Sequence, residues 1–249
     1  MPPLPTLLLE LETVLADTAD ARRAALLVAL AAEEVALSDA EYDEACVGLA
    51  PRQAARAALA IRGRGDDETT ADLVTLLAER EFARRIGAGV TLAPGARDFV
   101  EGAAGRARLG VVTRARRADA SLILSLAGLE DAFDVVVAAD DVAEPKPSAA
   151  PYRRALERLA RRGSGGVTAG ASDLARSTIV LEDSAAGIRA AHEAGMRCVA
   201  VGAVAAHVAL EADAAVPSLA GQTPASLLAL AAVGGAGSHS SGTSEARRR

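Results

Sequence analysis

Tryptophan is absent from this sequence of 249 residues, and aromatic residues make up only 2% of it. A hydrophobic core must therefore be built from Ala, Leu and Val, and the apolar fraction of 51% supplies ample material for it. Cysteine is also scarce. Cys46 and Cys198 lie far apart without the spacing of a metal site, which is typical of reduced, structural cysteines in a cytosolic protein.

Two further absences argue against whole classes of partner. No apolar run approaches the ~18 residues of a membrane span, and the start, Met1–Pro5, lacks the basic region of a signal peptide. The net charge of -6 disfavours nucleic acid, which is normally bound by a basic face. We therefore expect a cytoplasmic protein with neither a membrane nor a nucleic-acid partner.

Lysine is nearly absent as well. The chain has 27 basic residues, and Lys146 is the only lysine among them. Such a bias suggests that lysine is kept only where arginine cannot replace it, because a compact ammonium and a planar guanidinium make different contacts. Lys146 is therefore a candidate functional residue.

Short apolar runs alternate with longer amphipathic stretches rich in Ala and Leu. Five runs have the length of a strand: Thr6–Leu9, Leu109–Thr113, Val135–Ala139, Thr178–Leu181 and Arg197–Val201. Within most of these runs, apolar and polar residues do not alternate, as expected for strands buried on both faces of a parallel sheet. Helical patterns lie between them, near Pro94–Ala107, Arg116–Ala127, Ala149–Arg162 and Ser184–Ala194. The alternation predicts a doubly wound α/β fold.

One interval breaks this alternation. From about Asp17 to Val90 the sequence shows only helical patterns, namely Asp20–Val35, Asp39–Val47, Pro51–Ile61 and Thr69–Ile86. An insertion after the first strand would sit over the carboxyl ends of the strands, where open α/β sheets bind ligands. We therefore predict a core of residues 1–16 and 91–233 and a helical cap of residues 17–90. Arg161–Ser172 is predicted to be a surface loop, and the Gly/Ser-rich tail of residues 234–249 is predicted to be disordered.

Four predicted strand ends carry polar groups. They are Glu10-Leu11-Glu12-Thr13, Thr113, the segment that leads to Lys146, and Glu182-Asp183. Two carboxylates from different strands can share one Mg²⁺, and a hydroxyl beside helix amides suits phosphate oxygens. A lysine can neutralise a phosphoryl group while one carboxylate acts as nucleophile and another as general acid/base. The pattern therefore indicates phosphoryl transfer.

With these motifs the sequence resembles the haloacid dehalogenase superfamily, and most of all its β-phosphoglucomutase/CbbY-like sugar-phosphate branch. The segments that carry the resemblance are Glu10–Thr18, Val111–Thr113, Lys146–Tyr152 and Val180–Ile188. The resemblance extends from about Leu7 to Leu230. It implies a Rossmann-like core with a helical cap after the first strand, Mg²⁺ as cofactor, and a small phosphorylated metabolite as substrate.

The resemblance and the chemistry together define a candidate site. The predicted catalytic residues are Glu10, Glu12, Thr113 and Lys146, and the predicted metal ligands are Glu10, Glu12, Glu182 and Asp183. The predicted phosphate-binding residues are Thr113, Arg114 and Lys146, and the predicted substrate contacts from the cap are Arg52 and Arg22.

The match fails in the first motif, where the family's two aspartates are Glu10 and Glu12 and its glycine is Thr13. One extra methylene moves each carboxylate by about a bond length, whereas near-attack geometry tolerates much less. Two functions therefore stay open. One is a Mg²⁺-dependent phosphatase or phosphomutase with impaired activity, which the intact remainder of the site favours. The other is an inactive protein that uses the scaffold to bind a ligand or a protein partner. A third function, hydrolytic dehalogenation, is disfavoured. That branch of the family uses no metal, so the acidic pair Glu182-Asp183 would have no purpose in it.

Overall fold

The computed structural model describes residues 4–162, 171–204 and 206–234. In chain order its strands are β1 (Thr6–Leu9), β2 (Ala16–Asp17), β3 (Thr91–Leu92), β4 (Arg108–Val112), β5 (Val135–Val137), β6 (Thr178–Glu182), β7 (Arg197–Val201) and β8 (Ala214–Val216). One six-stranded sheet has the order β5-β4-β1-β6-β7-β8 with all neighbours parallel. The strands β2 and β3 form a separate antiparallel ribbon.

The topology of the main sheet positions the site. From β1 the chain adds β4 and β5 on one side, and it then returns to add β6, β7 and β8 on the other. In the register, Leu9 of β1 lies beside Val111 of β4 and Leu181 of β6. The residues that follow these three strands therefore meet at one edge, at the point where open α/β sheets bind ligands. The predicted Rossmann-like doubly wound sheet is confirmed.

In chain order the helices are α1 (Ala19–Ala32), α2 (Asp39–Ala45), α3 (Pro51–Ile61), α4 (Glu68–Ile86), α5 (Ala96–Ala103), α6 (Arg117–Ala127), α7 (Ala150–Arg162), α8 (Ala171–Ser177), α9 (Ala185–Glu193), α10 (Ala206–Ala209) and α11 (Pro224–Gly234). Side chains of a strand alternate between its two faces. Leu7 and Leu9 accordingly pack in the cluster that contains Phe99 of α5, while Leu8 packs in the cluster that contains Leu159 of α7. The sheet is thus covered by helices on both faces.

The helices α1–α4, here called the helical insert (residues 19–86), lie between β2 and β3. Buried residues of the insert, among them Leu30, Leu59 and Val74, form a third hydrophobic cluster. Local signals start its helices: Pro51 is the first residue of α3, and Asp67 accepts a hydrogen bond from the backbone N–H of Thr70 to cap α4. The limits proposed above for core and cap remain predictions.

Several elements were not predicted from the sequence because they are short. The ribbon strands have two residues each and β8 has three, which is too few for a periodicity to show. The prediction of a loop over Arg161–Ser172 is wrong at both ends, because α7 runs to Arg162 and α8 begins at Ala171. The rest of that loop, and the predicted disordered tail beyond Gly234, lie outside the described residues. No helix in the part of the chain that the structure describes is long and apolar enough to cross a membrane.

Candidate active site

Lys146 lies at the centre of the carboxyl edge of the sheet. Its Nζ donates to Oε2 of Glu10 at 2.6 Å, to Oε1 of Glu182 at 2.5 Å and to the carbonyl oxygen of Val112 at 2.8 Å. An ammonium has three N–H donors, so these contacts satisfy all of them. Lys146, Glu10 and Glu182 are at most 5% exposed. A planar guanidinium cannot reproduce this compact arrangement, which explains why the only lysine of the chain stands here.

Glu182, the last residue of β6, is held on both carboxylate oxygens. Oε1 accepts from Lys146 and from the hydroxyl of Tyr152 at 3.0 Å. Oε2 accepts from the backbone N–H groups of Asp183 and Ser184 and from the hydroxyl of Ser184. Burial alone would raise the pKa of Glu182. The positive charges of Lys146 and Arg114 outweigh burial and lower the pKa from its ordinary 4.5 to about 2. These donors take up the lone pairs of the carboxylate, so a metal ion at Glu182, as the sequence predicts, would have to displace one of them.

Gly187 in the first turn of α9 makes this arrangement of Glu182 possible. A Cβ at Gly187 would lie 1.9 Å from the carboxylate carbon of Glu182. The absence of a side chain thus lets the carboxylate of Glu182 lie against the helix N-terminus, where Ser184 caps the helix by accepting from the N–H of Gly187.

Glu10 follows β1 directly and is 2% exposed. Its backbone N–H continues the sheet by donating to the carbonyl oxygen of Leu181 at 2.9 Å. Its Oε1 accepts from the N–H of Leu11 at 2.9 Å, while Oε2 accepts from Lys146. The side chain of Glu10 is one methylene longer than the aspartate of the family, and it folds back onto the backbone of Leu11.

Glu12 points toward the helical insert rather than toward Glu10. Its Oε1 accepts from Nε of Arg22 at 2.8 Å and from the hydroxyl of Thr18 at 2.9 Å. A second nitrogen of Arg22 lies 2.8 Å from Oδ2 of Asp119 on α6, and the guanidinium stacks 3.4 Å from the ring centre of Phe82. Arg22 therefore ties α1 to the turn after β1 and to α6.

Asp183 has one engaged and one orphaned oxygen. The hydroxyl of Thr13 donates to Oδ2, whereas Oδ1 is buried and has no hydrogen-bond partner among the described residues. Burial and the charges of Glu182 and Glu10 raise the pKa of Asp183 to about 7. Arg114 and the hydroxyl of Thr13 therefore offset only part of the cost of a negative charge on Asp183.

Thr113 and Arg114 follow β4. Thr113 is 3% exposed, and its hydroxyl accepts from the backbone N–H of Ala115 at 3.2 Å. Burial lowers the pKa of Arg114, but the carboxylates of Glu10, Glu182 and Asp183 raise it more. Arg114 thus lies in the field of the site carboxylates, and its guanidinium also donates to the carbonyl oxygen of Gly48 in the helical insert.

The structure brings together most, but not all, of the predicted site. Glu10, Lys146 and Glu182 are in direct contact, whereas the four predicted metal ligands do not converge, because Glu12 faces Arg22 and Glu182 is saturated. Among residues 4–162, 171–204 and 206–234, no group of three or more His, Cys, Asp or Glu side chains is arranged to hold a metal ion. The contacts of Arg52 are with Glu68 and Asp72 at 2.6 Å each, and both partners lie on α4.

Sequence reasoning missed three residues that shape the site. Tyr152 and Gly187 position Glu182, and Thr18 binds Glu12. Tyr152 and Gly187 stand inside the motif segments, and a tyrosine within an otherwise apolar helix face is a signal of a buried hydroxyl with a polar partner. Thr18 likewise stands at the end of the first motif segment, Glu10–Thr18.

The doubly wound parallel sheet, with carboxylates and a lysine at its carboxyl edge, defines an α/β protein with a buried polar cluster at its strand ends. The chain belongs to the haloacid dehalogenase-like hydrolase family, which it matches over residues 7–201, well over half of its length.

Solved structures share this fold over nearly the whole chain. β-Phosphoglucomutase from Clostridium difficile matches with a TM-score of 0.77 and 17% identity, over 92% of this chain and 98% of that one. CbbY from Rhodobacter sphaeroides in complex with phosphate matches with a TM-score of 0.74 and 28% identity, over 90% of this chain and 99% of that one. A variant of CbbY in complex with xylulose-(1,5)bisphosphate matches with a TM-score of 0.68 and 27% identity, over the same shares.

A curated relative matches only in part. Pyrophosphatase PpaX from Bacillus velezensis is 46% identical over 52 residues, which are 21% of this chain and 24% of PpaX. The match therefore spans about a quarter of that relative's length.

Proposed function

We propose that this chain is a Mg²⁺-dependent phosphatase or phosphomutase that acts on a small sugar phosphate. The observation that carries the proposal is the buried contact of Lys146 with Glu10 and Glu182 at the carboxyl edge of the sheet. A lysine held beside a strand-end carboxylate can neutralise a transferring phosphoryl group while that carboxylate attacks.

Two observations support a magnesium ion at this edge. Oδ1 of Asp183 is buried and finds no hydrogen-bond partner within the described residues, and burial with the nearby carboxylates raises the pKa of Asp183 to about 7. Carboxylate oxygens are the ligands that Mg²⁺ prefers. Asp183 and Glu10 would therefore hold the ion, whereas the side chains of Glu12 and Glu182 are engaged elsewhere. When bound, the ion supplies charge neutralisation to phosphoryl oxygens.

In this proposal Glu10 is the nucleophile. Lys146 holds the carboxylate of Glu10, and its ammonium group neutralises the negative charge of the phosphoryl group. The hydroxyl of Thr113, the amides beyond it and the guanidinium of Arg114 bind the phosphate. Glu12 is the general acid/base, and its contact with Arg22 sets its position. Arg22 and Arg52 are the proposed substrate contacts from the helical insert: Arg22 contacts Glu12, and Arg52 contacts Glu68 and Asp72 of α4.

The substrate class rests on similarity. CbbY, at 28% and 27% identity, is solved with phosphate and, as a variant, with xylulose-(1,5)bisphosphate, so a phosphorylated sugar is the first class to test. We further propose that the activity is impaired relative to an aspartate at the same place. The carboxylate of Glu10 folds back onto the N–H of Leu11, and a displacement of a catalytic group by about 1 Å can lower a rate about 100-fold.

The test is phosphate release from a panel of sugar phosphates that includes xylulose 1,5-bisphosphate and glucose 1-phosphate, with Mg²⁺ or with EDTA. We expect slow release by the unaltered chain that disappears in EDTA, and a rate at least tenfold higher in the double variant Glu10→Asp/Glu12→Asp. Glu157→Asp, on the exposed face of α7, is the matched control and should leave the rate unchanged. Absence of turnover in both the unaltered chain and the double variant would contradict the proposed activity, and turnover unaffected by EDTA would contradict the role of Mg²⁺.

A further inference from the structure

Thr13 occupies a tight turn directly after β1. The backbone N–H groups of Leu15 and Ala16 both donate to the carbonyl oxygen of Leu11, and the N–H of Thr13 donates to the carbonyl oxygen of Ala16. These bonds hold Thr13 at a φ of 72°, a left-handed conformation that a β-branched residue adopts only when its surroundings impose it. The direction of the Thr13 side chain is thus set by the turn.

The hydroxyl of Thr13 lies between two oxygen atoms. Its Oγ1 is 2.5 Å from the carbonyl oxygen of Glu12 and also within hydrogen-bond distance of Oδ2 of Asp183. A hydroxyl has one proton, so it can donate to only one of these acceptors at a time. Two oxygens of the kinds that bind hard cations therefore converge on one hydroxyl. The orphaned Oδ1 of Asp183 adds a third such oxygen that lacks a partner in the described part of the chain.

The distances fit a hydrogen-bond donor and not a further ligand of the same cation. Adjacent ligands of an octahedral Mg²⁺, with bonds of about 2.1 Å, stand about 3 Å apart. Oγ1 of Thr13 is only 2.5 Å from the carbonyl oxygen of Glu12. For both oxygens to bind a cation, the hydroxyl would have to move away from them.

We infer that the Thr13 hydroxyl is a built-in competitor of the metal ion: it lies between the carbonyl oxygen of Glu12 and the carboxylate of Asp183, donates to one of them at a time, and must swing away before a cation binds both. The inference rests on the proposed function, because it concerns the metal site of that reaction. Thr13 is exposed, so solvent is available to its hydroxyl once it leaves. The consequence is a weakened affinity for Mg²⁺ that removal of the side chain restores.

The experiment is a titration of the metal-free full chain with Mg²⁺ by isothermal calorimetry, in the absence of substrate. Thr13→Gly removes the competing hydroxyl and suits a positive φ, so it should fold at least as well as the unaltered chain. Thr13→Ser keeps the hydroxyl and is the matched control. We expect Thr13→Gly to bind Mg²⁺ at least tenfold more tightly than the unaltered chain, and Thr13→Ser to stay within threefold of it. Asp183→Asn added to Thr13→Gly should abolish the gain.

Equal affinity of Thr13→Gly and the unaltered chain would overturn the inference, as would the absence of binding by both proteins at millimolar Mg²⁺. Weaker binding by Thr13→Gly would overturn it too, because the hydroxyl would then be a ligand. The outcome is separable from that of the proposed function. Tighter binding by Thr13→Gly without turnover of any sugar phosphate supports the competitor and contradicts the activity, and turnover with unchanged affinity does the reverse.

Discussion

Gly187→Ala is expected to destabilise the protein although it replaces a glycine inside a helix. In an unobstructed helix this change stabilises by about 0.5–1 kcal/mol, because alanine loses less backbone freedom on folding. At this position the new Cβ would stand 1.9 Å from the carboxylate carbon and from Oε1 of Glu182, and 2.3 Å from Oε2. The carboxylate must therefore move by more than 1 Å, on the order of the gap to an ordinary contact.

The cost follows from what Glu182 holds in place. A displacement of that size breaks the contacts of its carboxylate with Lys146 and Tyr152 and with the N-terminus of α9. Disrupting a buried ion pair commonly costs about 3–5 kcal/mol. After subtraction of the helix gain, we expect a loss of about 2–4 kcal/mol in the free energy of unfolding, which is a large part of the typical total.

Urea denaturation followed by circular dichroism measures this loss, and thermal unfolding should show a midpoint lower by about 5–15 °C for a chain of this size. Gly102→Ala is the matched control, because Gly102 lies in α5 with nothing within 4 Å of an added Cβ. It should gain about 0.5–1 kcal/mol. Equal stability of Gly187→Ala and Gly102→Ala would show that a Cβ at position 187 does not displace the carboxylate of Glu182.

Three further predictions concern the same cluster. Tyr152→Phe removes one hydrogen bond to the buried carboxylate of Glu182 and should lower the free energy of unfolding by about 1–3 kcal/mol in urea titrations; no change would mean that the hydroxyl does not hold Glu182. Lys146→Arg keeps the charge but cannot reproduce three compact contacts, so we expect a phosphatase rate lower by at least about 100-fold. An unchanged rate would contradict the role proposed for Lys146. Folding raises the pKa of Asp183 from its ordinary 3.8 to about 7, so its charged form opposes folding above pH 7 and this penalty fades as the pH falls toward 4. In metal-free buffer Asp183→Asn should therefore be more stable than the unaltered chain at pH 8, with a difference that shrinks toward pH 4; a difference that grows on acidification would contradict the shift.

Much of the site could be predicted because parallel strands impose it. Once β1, β4 and β6 are neighbours in a parallel sheet, the residues after them must meet at one edge, and Glu10, Thr113 and Glu182 do lie at that edge. The bounds predicted for β1 and β7 were correct, since each is a short apolar run of strand length.

The rest depended on contacts between segments that are distant in sequence. The pairing of Glu12 with Arg22 requires α1 to lie over the turn after β1, and no local pattern encodes that orientation. The hydrogen bonds to the carboxylate of Glu182 come from Lys146 and Tyr152, and the motif alone does not reveal them. Thr13 was recognised as a departure from the family, but the position of its hydroxyl depends on a backbone conformation with positive φ.

The most direct test of the account is the rate of Mg²⁺-dependent phosphate release by the unaltered chain and by Glu10→Gln. The amide keeps the volume of the side chain and can accept from the N–H of Leu11, but it cannot act as an anionic nucleophile. We expect measurable release by the unaltered chain and a rate at least about 100-fold lower in Glu10→Gln. Equal rates for the two proteins would contradict the assignment of Glu10 as the residue that attacks the phosphoryl group.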